Sequence, residues 1–269
     1  VGFVASAMLV VSVVLSKTPS AVRGGIYDRT TRGVRIYLAT PRLRGLLAVN
    51  AAVAAAGSMV IVNTVVMVQA QWGLQQNALA VALAAFGAGS MVAALALPRL
   101  LDRWPDRPVM LLSVALLSSF MLLGSLSTHY AELLVLWFVV GIAYSAAQTP
   151  SGRLLRRSSQ PADRPALFAA QFALSHACWL AFYPLSGWLG SRWGMSSTFV
   201  VMGAISLLAL LVALRVWPKD DPESIEHDHA DLPPDHPHLG QGVHAAGGSR
   251  HAHPYWIDDQ HRHWPAPRR

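Results

Sequence analysis

The sequence predicts an all-α membrane protein followed by a polar tail, and three observations carry that reading. Apolar runs, each about the ~20 residues a bilayer-crossing helix needs, recur up to Trp217. Acidic residues are nearly absent from that region, where only Asp28, Asp102, Asp106, Glu132 and Asp163 occur. Twenty of the 21 Lys and Arg residues fall in alternate connecting segments, and Arg192 alone in the others. A soluble helix keeps one face for water. A helix in lipid satisfies its own backbone hydrogen bonds and needs no polar face.

Val1–Ser16 reads as a partial helix. The chain opens inside an apolar run without the basic flank or cleavage site of a signal peptide, so it is expected to be a fragment. Residues 17–45 read as a basic loop with Lys17, Arg23, Arg29, Arg32, Arg35, Arg42 and Arg44. Six spans then follow: Leu46–Val68, Asn77–Leu97, Val109–Leu126, Ala131–Thr149, Phe168–Leu189 and Thr198–Val216. Pro41, Pro98, Pro108, Pro150 and Pro218 punctuate the junctions. Residues 46–218 thus form one unit and 219–269 the tail.

Positively charged loops stay on the cytoplasmic side. The basic loop, the segments around Arg103 and Arg156, and the tail are therefore expected there. The formal charge of +7 fits this topology better than a nucleic-acid partner. Cys178 is the only cysteine and forms no internal disulfide. The Gly- and Ala-rich stretch "ALAAFGAGSMVAALALP" reads as close helix packing, since it lies within a span and lacks the setting of a nucleotide loop.

The segment "PRLLDRWPDR" at residues 98–107 resembles the loop signature of the major facilitator superfamily. Leu100, Asp102, Arg103 and Arg107 match that signature, whereas Pro98, Leu101, Pro105 and Asp106 depart from it. Its place, after the second full helix behind a long basic loop, is that of the second-half copy. The resemblance implies that residues 1–16 end helix six, that 17–45 link two halves, and that 46–218 form the second six-helix half. It further implies that helices one to five of the first half lie outside this chain. Asp102, Arg103 and Arg107 would be the gating loop, closing one side through charge-assisted bonds across helix termini. An ordinary membrane-edge charge cluster is the alternative.

No Asp, Glu, Lys or Arg lies near the centre of a span. His176 is the one titratable candidate there, and Phe172, His176, Trp179 and Tyr183 share a helical face. It is suited to carrying a proton or touching a cation, or to a structural bond to a neighbouring helix. Glu132, at a helix end, reads as solvated. The resemblance implies that Leu46–Val68 and Ala131–Thr149 line the central cavity. Asn50, Gly57 and Thr64, spaced by seven, share one face of the former, and Tyr144 and Gln148 are four apart on the latter. Asn50, Thr64, Tyr144, Gln148 and His176 are therefore the candidate path residues, with interhelical hydrogen bonding as the alternative role.

Nine of the eleven histidines follow Trp217. Eight form His-x-His pairs: His227/His229, His236/His238, His251/His253 and His261/His263. Residues i and i+2 of an extended chain point to one side, so a pair can offer two imidazoles to one ion. Imidazole suits Ni²⁺, Co²⁺, Zn²⁺ and Cu²⁺. The Pro, Gly, Asp and His composition reads as a disordered segment holding transient Ni²⁺, Co²⁺ or Zn²⁺, with no required cofactor. "PYWIDD" and "HWP" are the apolar exceptions, suited to docking on the bundle. A pH-sensitive or merely solubilising extension is the bland alternative.

A His-rich tail on a facilitator permease resembles the nickel- and cobalt-resistance exporters of bacteria. That resemblance implies proton-coupled efflux of a transition-metal cation through a bacterial inner membrane, by a transporter and not an enzyme. Lipid, the solute, protons and a first half of the same protein would be its partners. The alternative is efflux of a drug, siderophore or other small organic compound, with the tail as a metal or pH sensor. A membrane metal sensor that transports nothing is a third class.

Overall fold

The computed structural model describes residues 2–12, 26–222, 224–228, 243–244, 250–258, 260–261 and 263–265. Its helices in chain order are α1 (Gly2–Ser12), α2 (Ile26–Ala39), α3 (Pro41–Ser58), α4 (Gln76–Leu101), α5 (Asp106–Gly124), α6 (Tyr130–Gln148), α7 (Ser151–Arg157) and α8 (Arg164–Val216). Helix α3 runs on through two π-helical turns, Met59–Asn63 and Val66–Gln71. Such turns interrupt the regular i→i−4 ladder and recur at functional sites.

Helix α8 has 53 residues, far more than the ~20 needed to cross a bilayer. Gly194 breaks it, with φ 78° and ψ 172°, a backbone state open essentially only to glycine. Its two legs match the spans expected at Phe168–Leu189 and Thr198–Val216. Among the described residues five helical segments are long and apolar enough to cross a membrane, and Gly194 divides the longest, α8, so that six legs have that length. The protein is a multi-pass helical membrane protein.

Helix α3 is the most enclosed of these, packed on α8, α5 and α6. The others show much more apolar surface, as lipid-facing helices do: Leu95, Val135 and Leu180 are all exposed. Helices α4 and α6 meet through small residues. A Cβ on Gly89 would lie 1.9 Å from the Phe138 carbonyl oxygen, and one on Gly141 2.1 Å from that of Phe86. Ser90 Oγ donates to the Gly141 carbonyl at 3.1 Å across this contact. The Gly- and Ala-rich stretch is thus a helix-packing surface, the device membrane proteins use where hydrophobic burial drives nothing.

Two expectations change. The basic loop is largely helical: α2 occupies residues 26–39, and α3 starts at Pro41, ahead of Leu46. The reason is amphipathicity. Ile36 and Tyr37 are buried, while Gly33 lets α2 press onto the start of α8 at the Ala166 carbonyl. Thr40 Oγ1 closes α2 by donating to the Ile36 carbonyl, and Pro41 opens α3 where its missing N–H costs nothing.

The second change is in the tail, expected to be disordered. Its described residues include a three-stranded antiparallel sheet of β1 (Ser224–Asp228), β2 (Val243–His244) and β3 (Arg250–Pro254), in the order β1-β3-β2. His227 pairs with His251 across β1 and β3. Composition alone points to disorder. In the described part of the tail, the Ile and aromatic residues flanking the histidines supply a small core, in which Tyr255 and Ile257 are buried.

Candidate functional site

Three groups of polar residues stand out, and they lie at different depths. The first is inside the bundle. Asn50 is 2 % exposed, and its Nδ2 donates to Gln171 Oε1 at 3.3 Å. Tyr37 O–H donates to the same oxygen at 2.6 Å. Burial pushes the Tyr37 phenol well above its usual range, so it stays a donor. Thr64 is equally buried; its hydroxyl donates to the Val60 carbonyl and accepts from Trp137 Nε1 at 2.9 Å. Asn63 Nδ2 donates to Ser186 Oγ at 2.7 Å beside the first π turn. Apart from the Thr64–Val60 bond, each joins different helices, and each pairs a polar group that lipid would leave unsatisfied.

Tyr144 belongs to an aromatic row between Phe86, at 5.4 Å between ring centres, and Trp179, at 6.5 Å. Trp179 in turn lies 4.9 Å from Tyr183. Gly57 makes room for this row, since a Cβ there would meet Trp179 at 2.3 Å and Tyr144 at 3.1 Å. Gln148 is half-buried one turn beyond Tyr144. His176 is exposed and bonds within its own helix. Its Nδ1 donates to the Phe172 carbonyl at 2.8 Å, and its ring stacks on Phe172 at 3.8 Å. Phe172 and His176 thus stack on one another, as Trp179 and Tyr183 do further along the same helix.

The candidate path residues thus divide. Asn50 and Thr64 hold helices together, whereas Tyr144, Gln148 and His176 sit on partly or fully open surface. Gln171 and Tyr37 were missed. An uncharged amide near the start of an apolar run was the available signal for Gln171. Tyr37 lay in a segment read as a loop.

The second group is the Arg-rich end. Asp102 and Arg103 are exposed and make no ion pair among the described residues. The charge pair forms instead at Asp106, which departs from the family signature. Asp106 is 4 % exposed at the first turn of α5, where the helix dipole favours an anion. Arg153 bonds it through Nη2 at 2.6 Å and Nε at 2.9 Å, and reaches the Leu101 carbonyl at 3.2 Å. Arg107 donates to the Trp217 carbonyl at 3.2 Å, capping the last span. Arg32 grips Asp163 with two bonds, at 2.6 and 3.2 Å. Asp221 ties three elements together: Arg42 at 3.3 Å, Arg157 at 3.0 Å and Trp217 Nε1 at 3.2 Å. Glu132, at the opposite end, closes the start of α6 by accepting from the backbone of Thr128 and His129, with the His129 ring 3.6 Å from its other oxygen.

The third group is the tail. Trp256 Nε1 donates to the Arg157 carbonyl at 3.1 Å, Gln160 Nε2 donates to Asp258 Oδ2 at 2.8 Å, and Arg42 lies 4.8 Å over the Trp264 ring. The tail is therefore docked on the Arg-rich end. His227, His253 and His261 converge, each offering one ring nitrogen within 4.8 Å of the others. They come from three different His-x-His pairs, so among the described residues the convergence is between segments and not within one pair. His263 is exposed and supplies only its carbonyl, to Tyr255 O–H at 2.8 Å. Burial pushes the Tyr255 phenol up to about 12, keeping it a donor. Burial would raise the Asp258 carboxyl, but bonds from the His261 side chain and backbone outweigh it and hold it below its usual range. His229, His236 and His238 lie outside the described residues, as does the side chain of His251.

Six apolar crossings, small-residue helix contacts and a charge network at one end define a bundle of the transporter type. The chain belongs to the Major Facilitator Superfamily, whose family model matches residues 47–256. It is also similar to the probable galactarate/D-glucarate transporter of Bacillus subtilis (strain 168), with 29 % identity over 171 residues. That match takes in 61 % of this chain and 38 % of the relative. The chain thus spans well under half the length of that relative.

Proposed function

We propose that this chain forms part of a secondary transporter for a small polar organic solute, of the organic-acid class. The observation that carries the reading is the chemistry of the bundle. Between residues 41 and 216 the acidic groups, Asp102, Asp106, Glu132 and Asp163, all sit at or beyond helix ends. The surface between them offers amide, phenol, indole and imidazole groups: Gln148, Tyr144, Tyr183, Trp179 and His176. Such groups hydrogen-bond hydroxyls, and a protonated His176 would add a cation for a carboxylate. The name of the Bacillus relative supports this class.

The second wall of the path is assigned to further helices of the same protein, and energy to a proton gradient, on the family's pattern. The Arg-rich end is assigned to the cytoplasm of a bacterial inner membrane on its charge bias. Export of a transition-metal cation is the second reading. The three converging tail histidines favour it, but no carboxylate lies within the spans to hold a divalent ion there. Transport by the full-length protein in proteoliposomes, loaded in parallel with galactarate, glucarate, Ni²⁺ and Co²⁺, tests both. Saturable flux of a sugar acid that fails on His176→Ala supports the first reading. Metal flux without sugar-acid flux overturns it.

A further inference from the structure

We propose that His227, His253 and His261 form a binding site for one divalent transition-metal ion, and that the ion clamps the tail onto the Arg-rich end of the bundle. The proposal is independent of what the path carries. It rests on the orientation of the three rings. His227 Nδ1 lies 2.9 Å from the Ile225 carbonyl, and His253 Nδ1 lies 2.7 Å from the Pro254 carbonyl. His261 Nδ1 lies 3.0 Å from Asp258 Oδ1. All three oxygens only accept, so each Nδ1 carries a proton, and in the neutral ring Nε2 is the nitrogen left to bind an ion. This is the tautomer that metal-bound histidines have, with the far nitrogen held by a carbonyl or carboxylate.

The Nε2 atoms of His227 and His261 face each other at 3.0 Å. With both rings neutral two lone pairs would face each other at that distance, and either a shared proton or a metal ion relieves the contact. A tetrahedral ion with Zn–N bonds of 2.0–2.1 Å sets its ligand nitrogens about 3.4 Å apart. The observed cluster, within 4.8 Å throughout, reaches that geometry when His253 closes in and the His227–His261 pair opens by about 0.4 Å. His227 and His261 are nearly fully buried, so the site has little competing water. Three imidazoles and no thiolate suit Zn²⁺, Co²⁺ or Ni²⁺.

The clamp follows from where the ligands sit. His227 is on β1, His253 on β3, and His261 on the turn that Asp258 closes by accepting from the backbone N–H of Gln260 and His261. One ion joins all three segments. Asp258 carries the link onward, with Oδ1 on His261 and Oδ2 on Gln160, in the connection between α7 and α8. Trp256 anchors the same turn to the Arg157 carbonyl. Metal occupancy therefore bears on the segment that also holds Asp163 and Arg157.

The test uses the full chain in detergent, titrated with Co²⁺ alone and Zn²⁺ alone, against H227A/H261A, H244A and D258N. The expected result is one tight equivalent with the visible absorption of tetrahedral Co²⁺, displaced by Zn²⁺. It persists in H244A, disappears in H227A/H261A, and weakens roughly 10–100-fold in D258N, which keeps all three ligands. Zn²⁺ should also slow amide exchange at residues 156–160 and 255–258 in the unaltered protein. A tight equivalent that survives H227A/H261A, or that H244A removes equally, overturns the site. The latter result, or unchanged affinity in D258N, points to diffuse binding along the tail or a proton shared by His227 and His261. Unchanged exchange at 156–160 overturns the clamp. If H227A/H261A fails to fold, D258N decides.

Discussion

The interior of the bundle and its Arg-rich end solve the same problem by opposite means. Inside, polar groups are neutral and few, and they meet across helices: Asn50 and Tyr37 on Gln171, Thr64 under Trp137, Asn63 on Ser186. At the Arg-rich end, buried carboxylates take several donors each, as Asp106 and Asp221 do. Lipid offers nothing to a lone charge, so the interior is held by close approach of backbones and by single neutral bonds. Water at the edge lowers the cost of charge, so there the helices are tied by ion pairs, and the tail can rest on them. Rigidity within the membrane therefore depends on the shape of small residues, and at the edge on charge.

The largest break in that comparison should come from shape. Gly141→Ala places a methyl 2.1 Å from the Phe86 carbonyl oxygen, and backbone cannot step aside as a flexible side chain can. A loss of about 3 kcal/mol is expected, at the upper end of overpacking effects, read as a fall in unfolding temperature in detergent. Gly87→Ala, two residues from Gly89 but with nothing within 4 Å of the new methyl, should be silent or slightly stabilising. Equal effects at the two positions would mean that α4 and α6 do not meet as described. The next effect is electrostatic. Asp106→Asn removes the anion that Arg153 grips. Because the Arg153 side chain is 43 % exposed and water partly replaces the pair, about 1–2 kcal/mol is expected. Asp102→Asn should change stability by less than about 0.5 kcal/mol. The reverse order would return the gating role to Asp102.

The spans, their number and the packing role of the Gly- and Ala-rich stretch were legible, because long uncharged runs and alternating Arg-rich connections leave few other arrangements. Polar partners were harder to read. Asn50 shows a seven-residue spacing with Gly57 and Thr64, but nothing in that spacing says that Gln171, 121 residues away, receives its bond. The motif pointed to Asp102, whereas the buried acid at the start of α5, Asp106, takes the ion pair with Arg153 of α7. In the tail, the pairing of i and i+2 is sound for an isolated strand. It could not anticipate that β1 and β3 would bring His227 and His253 to one point, or that the Asp258 turn would add His261. Long-range pairing is set by registers that local composition does not encode.

The smallest effect is also the most direct probe of the interior. Asn50→Ala and Gln171→Ala each remove one end of a 3.3 Å bond, and Gln171→Ala also strips Tyr37 of its acceptor. Interhelical bonds in membrane proteins contribute about 0.6 kcal/mol on average, because the separated helices find other partners. The double-mutant cycle should therefore give a coupling near ~0.6 kcal/mol in detergent melts, with Gln171→Ala costing more than Asn50→Ala. Transport then separates structure from path. If Asn50 and Gln171 only join α2, α3 and α8, flux should fall no further than stability does, and Gln171→Asn should not change which solute is carried. A shift in solute preference on Gln171→Asn at unchanged melting temperature would place the amide on the path itself. The boundary between glue and path would then lie about two turns closer to the start of α3 than Tyr144 and Trp179.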